Sequence, residues 1–315
     1  GVAERVLALG ADGVLGGGGA LDRLLNTPQT AGLLSGEFFP MGLSAEMPGD
    51  QQGDDARAVC FDLPCPQGLA LLGAARLRVD LVPSGARGHL VARLCDVAPD
   101  GASRRIAHGY LILTGRAVPG QPLTVDLTLD QMAHRLAPGH RLRLALGTTD
   151  WPFVWPQPED TALRLTGGQL ALPVHPGEGP GWRFDPPPPV APSRLLRQAP
   201  EQDGRTFMHD LISGVQELEV VHESGITRNP VHGLETGSRM RERWRIRDGD
   251  PLSAEGLIDW TQSFARGDWR IETRVAARQW GSATHLHLRA TLTAFEGGTE
   301  VFRRDFADDI ARDRI

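Results

Sequence analysis

Apolar residues in this chain recur at every second position, in run after run, and the runs are separated by turn-forming residues. Leu77, Val79 and Leu81 alternate with Arg78 and Asp80; Leu123, Val125, Leu127 and Leu129 alternate with Thr124, Asp126 and Thr128; Leu142, Leu144 and Leu146 alternate with Arg141 and Arg143; Leu170, Leu172 and Val174 follow. A period of two places one residue class on one face of a strand. Gly, Pro or Asp bounds each run, and no long amphipathic helix intervenes. The pattern predicts an all-β chain built as a sandwich rather than a parallel α/β sheet. Residues 130–136 are the one local exception, read as a single helical turn.

The alternation dissolves between 176 and 200, where Pro176-Gly-Glu-Gly-Pro180 and the run of prolines at 186–189 favour extended polyproline geometry. Beyond it, longer runs return at 218–222, 239–247, 257–266, 269–278 and 285–295, with Gly267-Asp268 and Gly297-Gly298 as hairpin turns. The expected organisation is a connector at 1–19, a β-sandwich at 20–175, a Pro-rich linker at 176–200, and a second, meander-like antiparallel β-domain at 201–315 with its last strand ending near Phe306.

One turn is more specific. Leu94-Cys-Asp-Val-Ala-Pro-Asp-Gly101 closes a strand with a fixed φ, an Asx-type acceptor and a position for positive φ. The stretch from Ala92 to Ile106, followed by Gly109-Tyr-Leu-Ile-Leu-Thr114, resembles the C-terminal jelly-roll domain of the CocE/NonD serine hydrolases, a family that includes cocaine esterase, α-amino acid ester hydrolases and X-Pro dipeptidyl-peptidases. Further motifs fall in order: Ser35-Gly-Glu-Phe-Phe-Pro-Met-Gly42, Pro48-Gly-Asp-Gln-Gln-Gly-Asp-Asp-Ala-Arg57, Pro138-Gly-His-Arg-Leu-Arg-Leu144 and Trp151-Pro-Phe-Val-Trp-Pro-Gln-Pro158. They cover roughly residues 20–175. Leu234-Glu-Thr-Gly-Ser-Arg-Met-Arg-Glu-Arg243 and Asp250-Pro-Leu-Ser253 resemble an extension carried by one bacterial branch. The resemblance implies a jelly-roll, galactose-binding-like domain that packs on an upstream α/β-hydrolase domain of the same polypeptide.

Composition narrows the partners. All 33 basic residues are Arg, a bias that suggests a GC-rich bacterial source, and the net charge of −6 argues against a phosphate-binding surface for nucleic acid. No apolar run is long enough for a membrane span. Three cysteines, Cys60, Cys65 and Cys95, lie in or near apolar strand sequence and read as reduced buried thiols, which fits the cytoplasm. A chain that opens at Gly1 in mid-domain sequence reads as a fragment.

Catalytic signals are weak. A nucleophile elbow needs G-x-S-x-G between a strand and a helix, and Ser35, Ser44 and Ser213 stand in ordinary Ser-Gly or Ser-Ala turns. No catalytic residue is therefore assigned, and the resemblance puts the Ser, Asp and His of the reaction upstream. Gly16 to Gly19 lack the Lys of a phosphate loop. His285-x-His287, with His222 and His232 upstream, lacks a third ligand at diagnostic spacing, so no metal or cofactor is expected. Asp50, Asp54 and Asp55 cluster in one loop, where anchoring of Arg57 or a neighbouring strand outranks Ca²⁺ binding. Arg241, Arg243, Arg245 and Arg247 share one strand face, which predicts solvent exposure beside carboxylates such as Glu272.

Two aromatic stretches are the best candidates for a functional surface: Phe38, Phe39 and Met41, and Trp151, Phe153 and Trp155. Large apolar side chains in loops mark either core plugs or interfaces, and these are expected at the substrate pocket or the contact with the upstream domain. The expected function is a non-catalytic C-terminal portion of a serine esterase or X-Pro dipeptidyl-peptidase-like hydrolase, acting on a small ester or amide through the upstream domain, with homo-oligomerisation open. A free-standing jelly-roll module that binds carbohydrate is the alternative.

Overall fold

The structure, a computed structural model, describes residues 2–38, 40, 44–177, 183–189 and 194–313. In chain order its first part contains β1 (Ala3–Ala8), β2 (Arg23–Leu25), the single helical turn α1 (Gln52–Asp55), β3 (Val59–Cys65), β4 (Leu69–Pro83), β5 (His89–Val97), β6 (Ser103–Ile112), β7 (Leu123–Leu136), β8 (His140–Gly147) and β9 (Leu163–Val174). The second part contains β10 (Leu196–Ala199), β11 (Gln202–His209), β12 (Val215–Arg228), β13 (Glu235–Arg247), β14 (Asp250–Arg266), β15 (Trp269–Gly281), β16 (His285–Glu296) and β17 (Thr299–Ala311).

The first part is a sandwich of two antiparallel sheets. One has the order β1-β9-β4-β7 with β2 added to β9, and the other has β3-β8-β5-β6. The chain crosses between sheets at most of its connections from β3 to β9, as in jelly rolls. The alternating leucines meet between the sheets: Leu77, Val79 and Leu81 from β4 and Leu170 and Leu172 from β9 oppose Leu90, Ala92 and Leu94 from β5 and Leu142, Leu144 and Leu146 from β8. Each buried leucine contributes about 1.5–3 kcal/mol of transfer free energy. The turn after β5 is as read: Gly101 adopts φ 97°, and the Asp100 carboxylate accepts the Ala102 amide at 3.1 Å.

In the first two hundred residues the structure departs from the sequence reading in three places. Residues 130–136 continue β7 as a strand, paired Gln131 to Ala74 and Leu136 to Leu69. An extra residue in β7, inserted between Thr128 and Gln131, shifts the parity, so the buried Leu129 and Met132 stand three apart and imitate a helical spacing. Residues 3–8, within the stretch read as a connector, form β1 and pair with β9, and Leu7, Leu9 and Leu15 join the core. Residues 196–199, within the stretch read as linker, pair with β12.

The second part is one eight-stranded antiparallel sheet, ordered β10-β12-β13-β14-β15-β16-β17 with β11 also on β12. Both Gly-containing turns are two-residue hairpins, joining Arg266 to Trp269 and Glu296 to Thr299. Gly267 takes φ 60° at the first central position, which only glycine adopts without strain. β17 runs five residues past Phe306. The arginine face of β13 is ion-paired, but its carboxylates come from the adjacent strands: Arg241 with Glu219, Arg245 with Glu217 and Glu255, and Arg243 with Asp259. Glu272 lies one strand further out on β15 and pairs with Arg274 instead. The other face of the sheet carries most of its apolar side chains and is partly covered by the sandwich, where Leu218 and Val220 pack with Ala45, Leu33 and Trp244.

Candidate functional site

Most of the buried polar side chains among the described residues come from the segments 27–35, 51–55 and 148–161 and from the strands β5 and β6. β5 is buried on both faces, so Arg93, which points away from the intersheet core, would be an isolated charge without partners. It has them in the loop that carries α1. Arg93 donates to Gln51 Oε1 at 2.9 Å and pairs with Asp55 at 3.3 Å and Asp54 at 3.5 Å. Asp55 also accepts Ser103 Oγ at 2.7 Å and Arg143 at 3.3 Å, while Arg143 closes a two-pronged contact with Asp62. Asp54 caps the backbone amides of Gly32 and Leu34. The acidic loop is therefore an anchor for β5 and β8; Arg57 turns instead to the Thr30 carbonyl.

A second buried carboxylate lies beside it. Asp150 accepts Ser35 Oγ and Tyr110 Oη, both at 2.5 Å. Burial pushes its pKa up, against the two hydroxyl donors that favour the anion. Burial likewise raises the Tyr110 phenol, helped by the neighbouring Asp150. The loops meet so closely here that a Cβ on Gly32 would lie 2.3 Å from Asp150 Oδ1 and 2.5 Å from the Trp151 nitrogen. Ser35 is fully buried and its hydroxyl donates to a carboxylate rather than to an imidazole, which is not how an activated nucleophile is held. Ser213 donates to Asp210 in the turn before β12, and Ser44 lines a cleft of about 470 Å³ between this loop and β11.

Above Asp150 stands an aromatic patch. Phe153 stacks on Tyr110 with ring centroids 5.1 Å apart, meets His108 edge-on at 4.9 Å and touches Phe38 at 5.5 Å. Arg105 lies over the Phe153 ring. His108 is bonded to Asp130 at 2.8 Å, yet burial and Arg105 hold its pKa down to about 4. Phe38 remains 78% exposed at the outer rim of the patch.

The aromatic candidates thus divide. Phe38 and Phe153 share one surface. Trp151 is 1% exposed and sits between the two parts of the chain, packed edge-on against Trp155 and Trp244 and against Ile246 and Ala254. Trp155 packs in the same contact. Phe39 and Met41 lie outside the described residues. The sequence reading missed Tyr110, Asp150, Arg93 and Gln51; a charged residue inside the apolar run of β5 was the available signal for a buried ionic cluster. His287 bonds Asp309 at 2.6 Å and stacks on Trp280, with His285 beside it, and no group of three or more candidate metal ligands occurs among the described residues. No helix among the described residues is long and apolar enough to cross a membrane.

Comparison with known proteins adds the family. No curated protein matches the chain. Among solved structures it is similar to an aminopeptidase from the marine sediment archaeon Thaumarchaeota archaeon, at 15% identity and TM-score 0.46 over 55% of this chain and 37% of that one. It is also similar to an α-amino acid ester hydrolase labelled with selenomethionine, at 19% identity and TM-score 0.42 over 55% and 36%, and to a CocE/NonD family hydrolase from Staphylococcus aureus, at 12% and 0.40 over 55% and 37%. The chain spans little more than a third of each of these proteins. Residues 15–195, more than half of the chain, match the X-Pro dipeptidyl-peptidase C-terminal non-catalytic domain. That match covers the sandwich from Leu15 through β9 to the start of the C-terminal sheet, and by it this chain belongs to the family of X-Pro dipeptidyl-peptidase C-terminal non-catalytic domains.

Proposed function

We propose that this chain is the accessory region of a serine ester or amide hydrolase, seated on an upstream α/β-hydrolase catalytic domain and helping to wall its substrate pocket. The observation that carries the reading is the match to a non-catalytic C-terminal domain over residues 15–195. The surface best suited to the contact is the patch of Phe38, Phe153 and Tyr110. Its outermost ring is exposed, its inner rings are held by stacking, and the hydroxyl beneath is fixed to the buried Asp150. An exposed aromatic on a braced support is the usual form of an interface anchor. Trp151 and Trp155, spent on the contact with the C-terminal sheet, are not available for that role or for a sugar-stacking platform.

In this reading the nucleophilic Ser, the His that takes its proton and the Asp that orients the His all belong to the upstream domain. The substrate is a small ester or amide, and this chain contributes shape and apolar surface. Three free thiols, two of them buried, fit a reducing compartment such as the cytoplasm.

The test is Phe38→Ala and Phe153→Ala in the polypeptide that carries both regions. The expected result is a change in kcat/KM of about 10-fold or more that differs between substrates. An unchanged substrate profile with unchanged domain association refutes the assignment of this surface.

A further inference from the structure

The outermost strand of the C-terminal sheet is unlike the strands inside it. β17 is thirteen residues long and exposed along its whole length, and among the described residues no strand pairs with its outer edge. On the inner strands, arginines find carboxylates across the ladder, as Arg241 does with Glu219, Arg278 with Glu255 and Arg289 with Asp309. On β17, Arg303, Arg304 and Asp308 make no ion pair among the described residues. A long edge without proline is a template for another strand.

The sequence of β17 is complementary to itself in one register. We propose that β17 pairs antiparallel with β17 of a second copy of this chain about a two-fold axis at Phe306. A two-fold axis normal to the sheet keeps like faces together, so residues whose numbers sum to a constant even value stand opposite one another. With Phe306 opposite its own counterpart, Arg304 faces Asp308 and Phe302 faces Ile310 on the apolar side. On the other side Arg303 faces Asp309, and Ala311 faces Val301, the extra residue of a bulge against β16. Each pair occurs twice, giving four opposite-charge pairs and a central aromatic pair, both favourable cross-strand combinations.

The neighbouring two-fold registers lack this match. Centred on Arg304, the pairing sets Arg304 against itself and leaves Asp308 and Asp309 without an arginine opposite. Centred on Asp305, it sets Phe302 against Asp308. Centred on Ala307, it sets Asp305 against Asp309. Asp309 already accepts from His287 and Arg289, and a carboxylate has lone pairs for a further donor. The ladder ends at Ala311, because Arg312 is buried and donates to the Pro156 carbonyl of the sandwich. Phe302, Phe306 and Ile310, about half-exposed in one copy, gain cross-strand partners, and the apolar face becomes continuous between the two sheets.

The test is light scattering of the 315-residue chain from about 1 to about 100 µM, in about 0.1 M salt, with variants chosen for the register. The expected mass at high concentration is twice 34.1 kDa. R304D, which sets two carboxylates opposite each other twice, weakens dimerisation by about 10-fold or more, and the swap R304D with D308R restores it. Under oxidising conditions F306C forms a disulfide-linked dimer, since directly opposed Cα atoms stand about 4.5–5.5 Å apart. V301C does not, because the two copies of that residue lie about 33 Å apart along the ladder. A chain that stays monomeric throughout the range, a dimer indifferent to R304D, a swap that fails to restore it, or crosslinking at residue 301 would each overturn the proposal.

Discussion

Replacing Trp151 by alanine removes the largest fully buried side chain among the described residues, from the place where the sandwich and the C-terminal sheet meet. An indole buries about 200 Å² of surface. At about 25 cal/mol per Å² this is about 5 kcal/mol, and alanine substitutions of buried aromatics cost about 3–5 kcal/mol in practice. One feature of the site works the other way. The Trp151 indole N–H has no hydrogen-bond partner among the described residues, and a buried donor left unpaired costs about 1–3 kcal/mol. Trp151→Phe keeps most of the ring and removes that donor, so it is expected to change stability by less than about 1 kcal/mol. Urea denaturation followed by intrinsic fluorescence and by far-UV circular dichroism measures both variants. Because Ile246, Ala254 and Trp244 lose the Trp151 ring in the alanine variant, the C-terminal sheet is expected to unfold in a separate, earlier transition. A loss below about 1 kcal/mol in Trp151→Ala, or an equal loss in Trp151→Phe, would refute the reasoning.

Two further outcomes follow from the buried polar groups. Arg93→Leu leaves Asp54 buried without its cation and Asp55 with Arg143 alone, and is expected to cost about 3–5 kcal/mol, partly recovered by adding Asp54→Asn; a loss below about 1 kcal/mol by urea denaturation contradicts it. His89 is buried against the Gln157 amide, and burial, with Arg312 nearby, lowers its pKa to about 4 from an ordinary 6.5. A lowered histidine disfavours protonation in the folded state, so its contribution is complete above pH 6.5 and is lost as the pH falls from 6.5 through about 4, a total of about 3 kcal/mol. Asp150, raised by burial, has the opposite slope, so the comparison is wild type against His89→Gln, in which the acid-side loss flattens; equal pH profiles of the two proteins contradict the assignment.

The sandwich was legible because its alternation is nearly uninterrupted, and one strand face of Leu and Val has few alternatives to an intersheet core. Legibility failed where parity breaks: the extra residue in β7 turned a period of two into the spacing Leu129, Met132 and Leu136. It failed also for β1, whose residues 3–8 pair with β9 although most of them are exposed. The aromatic stretches could be recognised as plugs or interfaces, but their division could not. Trp151 and Phe153 are two residues apart, and only the packing of Ile246 and Ala254, about a hundred residues away in sequence, sends one inward and leaves the other beside Tyr110. The cluster of Asp150, Ser35 and Tyr110 was hidden for the same reason, since its members are joined by folding and not by spacing.

The central claim is that chemistry resides outside this chain. The direct measurement is hydrolysis of p-nitrophenyl acetate and Ala-Pro-p-nitroanilide by the 315-residue chain, together with labelling by a serine-directed fluorophosphonate. The account predicts no turnover and no labelled serine, with Ser35 held under Asp150 and Ser213 held in its turn. Turnover with stoichiometric labelling of one serine would contradict it and place a nucleophile within these residues.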